Sequence, residues 1–145
     1  MTACRAHGPA IVVATTAAPA AIGPYSQAIE IDGFLFCSGQ LGIDPATGKL
    51  LDGVEEQTDR ALLNLEGVLG AAGLSFGDVV KVNVFIADLA DFTAMNAIYS
   101  RHVVAPPPAR STVQVAALPL GAMVEIEAIA RKSDPVDAVA TPRTR

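Results

Sequence analysis

The chain has 145 residues, of which 51% are apolar and 17% are charged, a balance typical of one compact domain and not of a disordered or fibrous chain. Its formal net charge is -5 and its ten basic residues are scattered, which argues against nucleic acid as a partner. No apolar run approaches the roughly 18 consecutive residues that a membrane-spanning helix needs.

The ends of the chain lack the patterns of structured elements. The N-terminal segment has no apolar centre of the kind found in signal peptides, so we expect residues 1–10 to be a flexible extension of a cytoplasmic protein. Residues 133–145 show no periodicity and predict a flexible tail, which leaves residues 11–132 as the domain. Two cysteines do not make a disulfide framework, and two histidines without metal-ligand spacing do not predict a zinc site.

The N-terminal part of the domain predicts three strands. Residues 11–14 form a short β-branched run, and the prolines and glycine after it keep the next segment in a loop. Residues 28–31 and 34–38 are apolar runs separated by Asp32 and Gly33, a pair that adopts positive φ at low cost. We therefore predict a β-hairpin here.

The first predicted helix covers residues 54–72, where apolar positions recur at helical spacing and charges lie on the opposite face. Asp52 and Glu55 have the spacing of a capping box, which predicts how this helix begins. Gly73 follows the last apolar position and predicts its end.

The next strand covers residues 79–87, whose side chains alternate between an apolar face and a mixed one. The predicted apolar set is Val80, Val82, Val84 and Ile86. A second helix, residues 91–103, has Asp91 as a natural N-cap and ends before three consecutive prolines. Its predicted inward side chains are Phe92, Met95, Ile98 and Tyr99. Two more strands, residues 110–116 and 124–130, complete the domain.

This order of elements predicts an α+β sandwich with a six-stranded sheet. Two helices can cover only one face of such a sheet. The other face is expected to carry a half-polar set of side chains, namely Lys81, Asn83, Arg110, Thr112, Gln114, Glu125 and Glu127. We expect this face to pack against other copies of the chain, because oligomers usually cover such surfaces symmetrically.

Arg110, Glu125 and Glu127 are the charged residues best suited to chemistry. A guanidinium offers a planar fork of donors for a carboxylate, and a glutamate in an apolar strand is either paired or functional. From spacing alone, ion pairing across the sheet is the simpler interpretation, and the functional one stays open. Paired acids also occur in glycoside hydrolases, but two tyrosines and five phenylalanines provide little aromatic surface for a sugar cleft.

Three longer strings resemble the RidA (YjgF/UK114) family. They are APAAIGPYSQA at residues 18–28, SGQLGIDPATGKL at 38–50 and PARSTVQVAALPLGAMVEIEAIA at 108–130. In the last string, the arginine after Pro-Ala and the glutamates of VEIEAIA keep both their identity and their separation. The resemblance covers about residues 11–131 and favours a functional interpretation of Arg110 and Glu125.

The resemblance implies a chorismate-mutase-like fold, with a mixed six-stranded sheet, two helices on one face, and a homotrimer whose sheets form a central barrel with ligand clefts between subunits. The implied activity is the cofactor-free hydrolysis of enamines and imines, such as 2-aminoacrylate, 2-iminobutanoate and 2-iminopropanoate, to 2-keto acids and ammonia. Arg110 and the backbone N–H of Gly39 would hold the substrate carboxylate, and Glu125 would orient the attacking water. The pocket would be lined by Tyr25, Ser38 and Asn96.

The chain departs from several bacterial members at Thr112, where they have a cysteine, so only the main-chain carbonyl of Thr112 could help to place water. Two other functions stay open: a non-catalytic trimer that binds 2-keto acids as a regulator, and an endoribonuclease or translation inhibitor. A binder needs Arg110 but has no need of Glu125 as a base. The acidic charge and the lack of a histidine pair disfavour RNA cleavage.

Overall fold

The computed structural model describes residues 8–132, so most of the predicted N-terminal extension and the whole predicted tail at 133–145 lie outside it. The strands are β1 (Ile11–Val13), β2 (Ala28–Ile31), β3 (Phe34–Leu41), β4 (Ile43–Asp44), β5 (Lys49–Leu50), β6 (Val79–Ile86), β7 (Ala109–Gln114) and β8 (Val124–Arg131). The α-helices are α1 (Val54–Ala71) and α2 (Phe92–His102).

Six of the strands form one sheet in the order β1-β2-β3-β8-β6-β7, and β4 and β5 form a separate hairpin. Neighbouring strands of the large sheet are antiparallel except β6 and β7. These two are parallel because α2 connects them as a crossover. The predicted α+β class and six-stranded mixed sheet are therefore confirmed.

The predicted hairpin joins β2 and β3. Asp32 and Gly33 have φ values of 49° and 80°, as expected when both central residues of a two-residue turn adopt positive φ. Strand β3 continues beyond its predicted end to Leu41, and its register against β8 shifts between Cys37 and Gln40. This irregularity lies beside the candidate site.

The core lies between the sheet and the two helices. Its largest fully buried side chains include Leu35, Leu62, Leu65, Leu69, Ile86, Met95 and Ile126. Helix α1 packs on β3 and β8, and α2 packs against α1. His102 at the end of α2 contacts Asp59 of α1, with 2.7 Å between Nε2 and Oδ1. The helices therefore cover one face of the sheet, and the face carrying Glu125 is left open.

The predicted starts of both helices need correction. The N-cap of α1 is Gly53, with φ 83° and no side-chain cap, so Asp52 and Glu55 do not form a capping box. Asp91 precedes α2 but makes no side-chain cap either, while Asp88 caps the 3₁₀ turn before it. In both cases the chain enters the helix through a backbone conformation that the side-chain pattern does not reveal. The predicted end of α1 is confirmed, since Gly73 has φ 72°.

Two predicted inward residues are exposed. Val80 lies at a register shift between β6 and β8, which turns it outward and buries Val79 in its place. Phe92 begins α2 beside Arg110 and is 37% exposed, so it is not a core residue. The other predicted inward residues of β6 and α2 are buried.

The most important correction concerns the face of the sheet on which Arg110 lies. In the parallel pair of β6 and β7, Arg110 is the partner of Val82 and Thr112 is the partner of Val84. Paired residues share a face, and Val82 and Val84 are buried beneath the helices. Arg110 therefore lies on the helix side of the sheet. The prediction that it shares the open face with the glutamates is wrong.

Candidate active site

A cavity of about 560 Å³ lies where the loop before β2, the second half of β3 and the loop before β8 meet. We call it the Glu125 cavity. Four predicted site residues line it, namely Tyr25, Ser38, Gly39 and Glu125. The strand irregularity in β3 and the pairing of Leu41 with Glu125 bring these residues together.

Glu125 lies directly against the backbone of β3. A Cβ atom on Gly39 would lie 2.7 Å from the carboxyl carbon of Glu125 and 2.9 Å from its Cγ, so only glycine leaves this space free. Burial raises the pKa of Glu125, and the negative charge of Glu127 raises it further. A carboxylate with a raised pKa is a better proton acceptor near neutral pH.

Glu127 lies on the same face as Glu125 and also lines the Glu125 cavity, but its carboxylate is already hydrogen-bonded. Its Oε1 accepts a hydrogen bond of 2.8 Å from Nδ2 of Asn83, its cross-strand partner on β6. The Glu127 side chain therefore already has a structural partner. Glu125 is the better placed of the two to bind a water molecule.

The serine of the cavity is held by the neighbouring loop. The Ser38 hydroxyl donates to the carbonyl of Ser26 at 2.6 Å, and its backbone N–H donates to the carbonyl of Gln27 at 2.9 Å. A hydroxyl committed in this way, without a nearby base, is not an activated nucleophile. Ser38 shapes the cavity, and its neighbour Tyr25 is exposed at the cavity wall.

Arg110 lines a second pocket, of about 410 Å³, between α2 and the proline-rich loop before β7. We call it the Arg110 pocket. Nη2 of Arg110 donates to Oδ1 of Asn96 at 2.8 Å, and the guanidinium lies over the ring of Tyr99. Among residues 8–132 no carboxylate forms an ion pair with Arg110. The simpler interpretation of this residue, a structural ion pair across the sheet, is therefore not what the described part of the chain shows.

The two pockets lie apart in one chain. Arg110 and Glu125 lie on opposite faces of the sheet, and β6 separates their strands. Thr112 lines neither pocket, and its Oγ1 is buried without a hydrogen-bond partner in the described region. The described chain thus has two separate pockets, one lined by a cation and one by a carboxylate.

Sequence reasoning missed two residues that shape the Glu125 cavity. Gln27 is 5% exposed, and its amide group bonds to the backbone of Thr15, Ala18 and Pro19, which holds the loop at the Glu125 cavity. The sequence signal for this role was a glutamine between apolar runs. A glutamine in such a place is expected to be buried, and a buried amide group needs hydrogen-bond partners. Leu120 lines the same cavity with φ 59°, a left-handed value that no sequence pattern indicated.

Within residues 8–132, no three His, Cys, Asp or Glu side chains come close enough to form a metal-binding group. Neither α1 nor α2 is long and apolar enough to cross a membrane.

Known proteins resemble the chain over most of its length. The chain is 53% identical over 120 residues to Reactive Intermediate Deaminase A, chloroplastic, of Arabidopsis thaliana, an alignment that covers 82% of this chain and 64% of that protein. It is 52% identical over 120 residues to the 2-iminobutanoate/2-iminopropanoate deaminase of Mus musculus, covering 82% and 89%. The structure of E. coli TdcF with bound serine superimposes with a TM-score of 0.81 at 42% identity, covering 85% of this chain and 99% of that one.

Residues 15–132 also match the family model described as Endoribonuclease L-PSP, which includes nearly all of the described region. The match contains all three strings that indicated the RidA resemblance. The chain therefore belongs to the Endoribonuclease L-PSP family, which is the RidA family that its motifs indicated.

Proposed function

We propose that the chain is an enamine/imine deaminase that hydrolyses amino-acid-derived intermediates, such as 2-aminoacrylate, 2-iminobutanoate and 2-iminopropanoate, to 2-keto acids and ammonia. The observation that carries the proposal is the Arg110 guanidinium, which lines a pocket without an ion-pair partner in the described chain. Such a cation suits a substrate carboxylate. The deaminase names of the relatives support the same chemistry.

The proposed reaction needs no cofactor. Protonation of the enamine at C3 by solvent gives an iminium, whose C2 is electrophilic, and Arg110 with the backbone N–H of Gly39 holds the carboxylate. Glu125 orients a water and accepts its proton as the water oxygen bonds to C2. The proton then goes to nitrogen, the C–N bond breaks as the hydroxyl oxygen forms the carbonyl and returns its proton to solvent, and ammonia leaves the 2-keto acid. Because the substrate is already reactive, holding it next to a bound water contributes most of the rate enhancement.

We further propose that the active site forms between subunits of a homotrimer. The open face of the sheet exposes Phe34, Phe36 and Val113, which supports packing against other copies of the chain. We infer that such packing sets Arg110, which lies on the edge strand β7, against the Glu125 cavity of the next subunit. A substrate could then contact the Arg110 pocket and the Glu125 cavity together, which it cannot do within one chain.

Mixed oligomers test this arrangement directly. Arg110→Ala and Glu125→Gln should each abolish ammonia release from enzymatically generated 2-aminoacrylate. If the two variants are refolded together, random assortment should restore about a quarter of the wild-type sites, because some interfaces pair an intact Arg110 with an intact Glu125. No recovery in mixed trimers, or a stable monomer by light scattering, would contradict the shared site.

The regulator and endoribonuclease alternatives have separate tests. The raised pKa of Glu125 favours a catalyst, since a 2-keto-acid binder needs no base in this cavity. The family description keeps RNA cleavage as the other candidate. Ribonuclease activity that persists in Arg110→Ala, after controls for contaminating nucleases, would support that candidate against the deaminase.

A cytoplasmic location is also part of the proposal. The relative from Arabidopsis thaliana is named as chloroplastic, so membership of the family does not by itself fix the compartment. The test is fractionation of the native host, and we expect to detect the chain in the soluble cytoplasmic fraction. Recovery from an organelle or from the medium would contradict it.

A further inference from the structure

Aromatic rings and an amide, not an acid, hold the guanidinium of Arg110. Its carbon lies 4.5 Å from the centre of the Tyr99 ring and 5.8 Å from that of Phe92. Nη2 donates a hydrogen bond to Oδ1 of Asn96. These three partners share one face of α2, because their positions are four and then three residues apart. One helix face therefore determines where the guanidinium lies.

An aromatic partner leaves the donors of an arginine free. The ring attracts the cation through its quadrupole and takes up no N–H group. A guanidinium has five N–H donors in one plane, of which Asn96 accepts one. A carboxylate partner would instead compete for the donors that a bidentate ligand needs. Contact with the Tyr99 ring thus positions Arg110 while its other N–H donors stay available to a carboxylate.

The Arg110 guanidinium lies over the ring of Tyr99, and the Tyr99 hydroxyl lies near the guanidinium as well. The hydroxyl is buried and has no hydrogen bond of good geometry among residues 8–132. Burial raises the pKa of Tyr99, and the positive charge of Arg110 and its polar contact with the hydroxyl oppose that rise only in part. The side chain is therefore neutral at physiological pH, so it cannot serve as the counter-ion of Arg110.

We propose that Tyr99 is a positioning residue for the substrate carboxylate: its ring sets the plane of the Arg110 guanidinium and thereby the plane in which the carboxylate binds. This inference rests on the proposed function, since it requires Arg110 to anchor the carboxylate. The anchor binds substrate and transition state alike, so losing the stack should affect KM more than kcat. Phe92 is more distant and more exposed, and it contributes less.

The test compares Tyr99→Phe and Tyr99→Leu, with Met95→Leu as a matched control in the buried core on the same helix. Titration with 2-ketobutyrate gives Kd, and ammonia release gives kcat and KM. Tyr99→Phe keeps the ring, so its Kd and KM should stay much closer to the wild-type values than those of Tyr99→Leu. Tyr99→Leu should raise Kd and KM about tenfold, equivalent to about 1.4 kcal/mol, with kcat changed much less. Met95→Leu should leave all three constants unchanged.

A wild-type Kd in folded Tyr99→Leu would overturn the inference. Equal weakening in Tyr99→Phe would overturn it too, because the effect would then belong to the hydroxyl. If Tyr99→Leu does not fold, the Tyr99→Phe substitution made with tetrafluorinated phenylalanine keeps the ring shape and removes its negative face. An unchanged Kd in that protein would refute the stack. If the wild-type chain neither binds 2-ketobutyrate nor releases ammonia, the proposed function itself fails and the inference fails with it.

Discussion

Gly39→Ala tests whether Glu125 must lie against β3 to act as the base. The added Cβ would lie 2.7 Å from the Glu125 carboxyl carbon, whereas carbon atoms in contact are ordinarily about 3.5–4.0 Å apart. The carboxylate must therefore move by about 1 Å, and a misplacement of that size costs on the order of 10²-fold in rate. Overpacking of this kind destabilises a fold by about 1–3 kcal/mol, so the variant should still fold.

The assay measures kcat for ammonia release, Kd for 2-ketobutyrate and the melting temperature. The expected result is a fall in kcat of about 10²-fold with binding retained, because the backbone N–H of Gly39 and the Arg110 side chain are unchanged. The matched control is Gly70→Ala in α1, where a Cβ would meet nothing within 4 Å. Wild-type kcat in a folded Gly39→Ala trimer would refute the role assigned to the Glu125 position.

Three further predictions concern the charged residues. Glu125→Gln should lower the rate of deamination by about 10²-fold or more while 2-ketobutyrate still binds. An equal loss from Glu127→Gln in a folded trimer would show that Glu125 is the wrong choice of catalytic acidic residue. Glu127→Gln removes a like charge that raises the pKa of Glu125. Since the base acts deprotonated, the pH below which activity is lost should become lower, and an unshifted profile would contradict this coupling. Arg110→Lys keeps the charge but loses the planar fork, so calorimetry should show 2-ketobutyrate binding weakened by about 2–5 kcal/mol; wild-type affinity in folded Arg110→Ala would remove this residue from the site.

Local patterns predicted the elements because their causes are local. The Asp32-Gly33 turn and the Gly73 helix end depend on backbone conformations that neighbouring residues determine. The periodicity of α1 and α2 follows from one apolar face each. Predictions failed where a shift of one residue mattered, as at Val80, which lies at a register shift, and at Gly53, which is the N-cap of α1 in place of Asp52.

Arg110 and Glu125 could be selected from the sequence, but the residues that group around each of them could not. Alternation along a strand shows that Glu125 and Glu127 share a face, and the structure agrees. It does not show how one strand is aligned with the next. The contact between Gly39 and Glu125 depends on an irregularity in the pairing of β3 with β8, which no spacing along the chain reports.

The sequence by itself determined the family and the α+β class, and it selected Arg110 and Glu125 as the candidate cation and acid of one site. Only the tertiary structure decided that they lie on opposite faces of one sheet. The physical reason is that a one-residue change in register between strands reverses every side chain relative to its neighbours. The parallel pairing of β7 with β6 sets that register, and it turns Arg110 toward Tyr99 and away from Glu125.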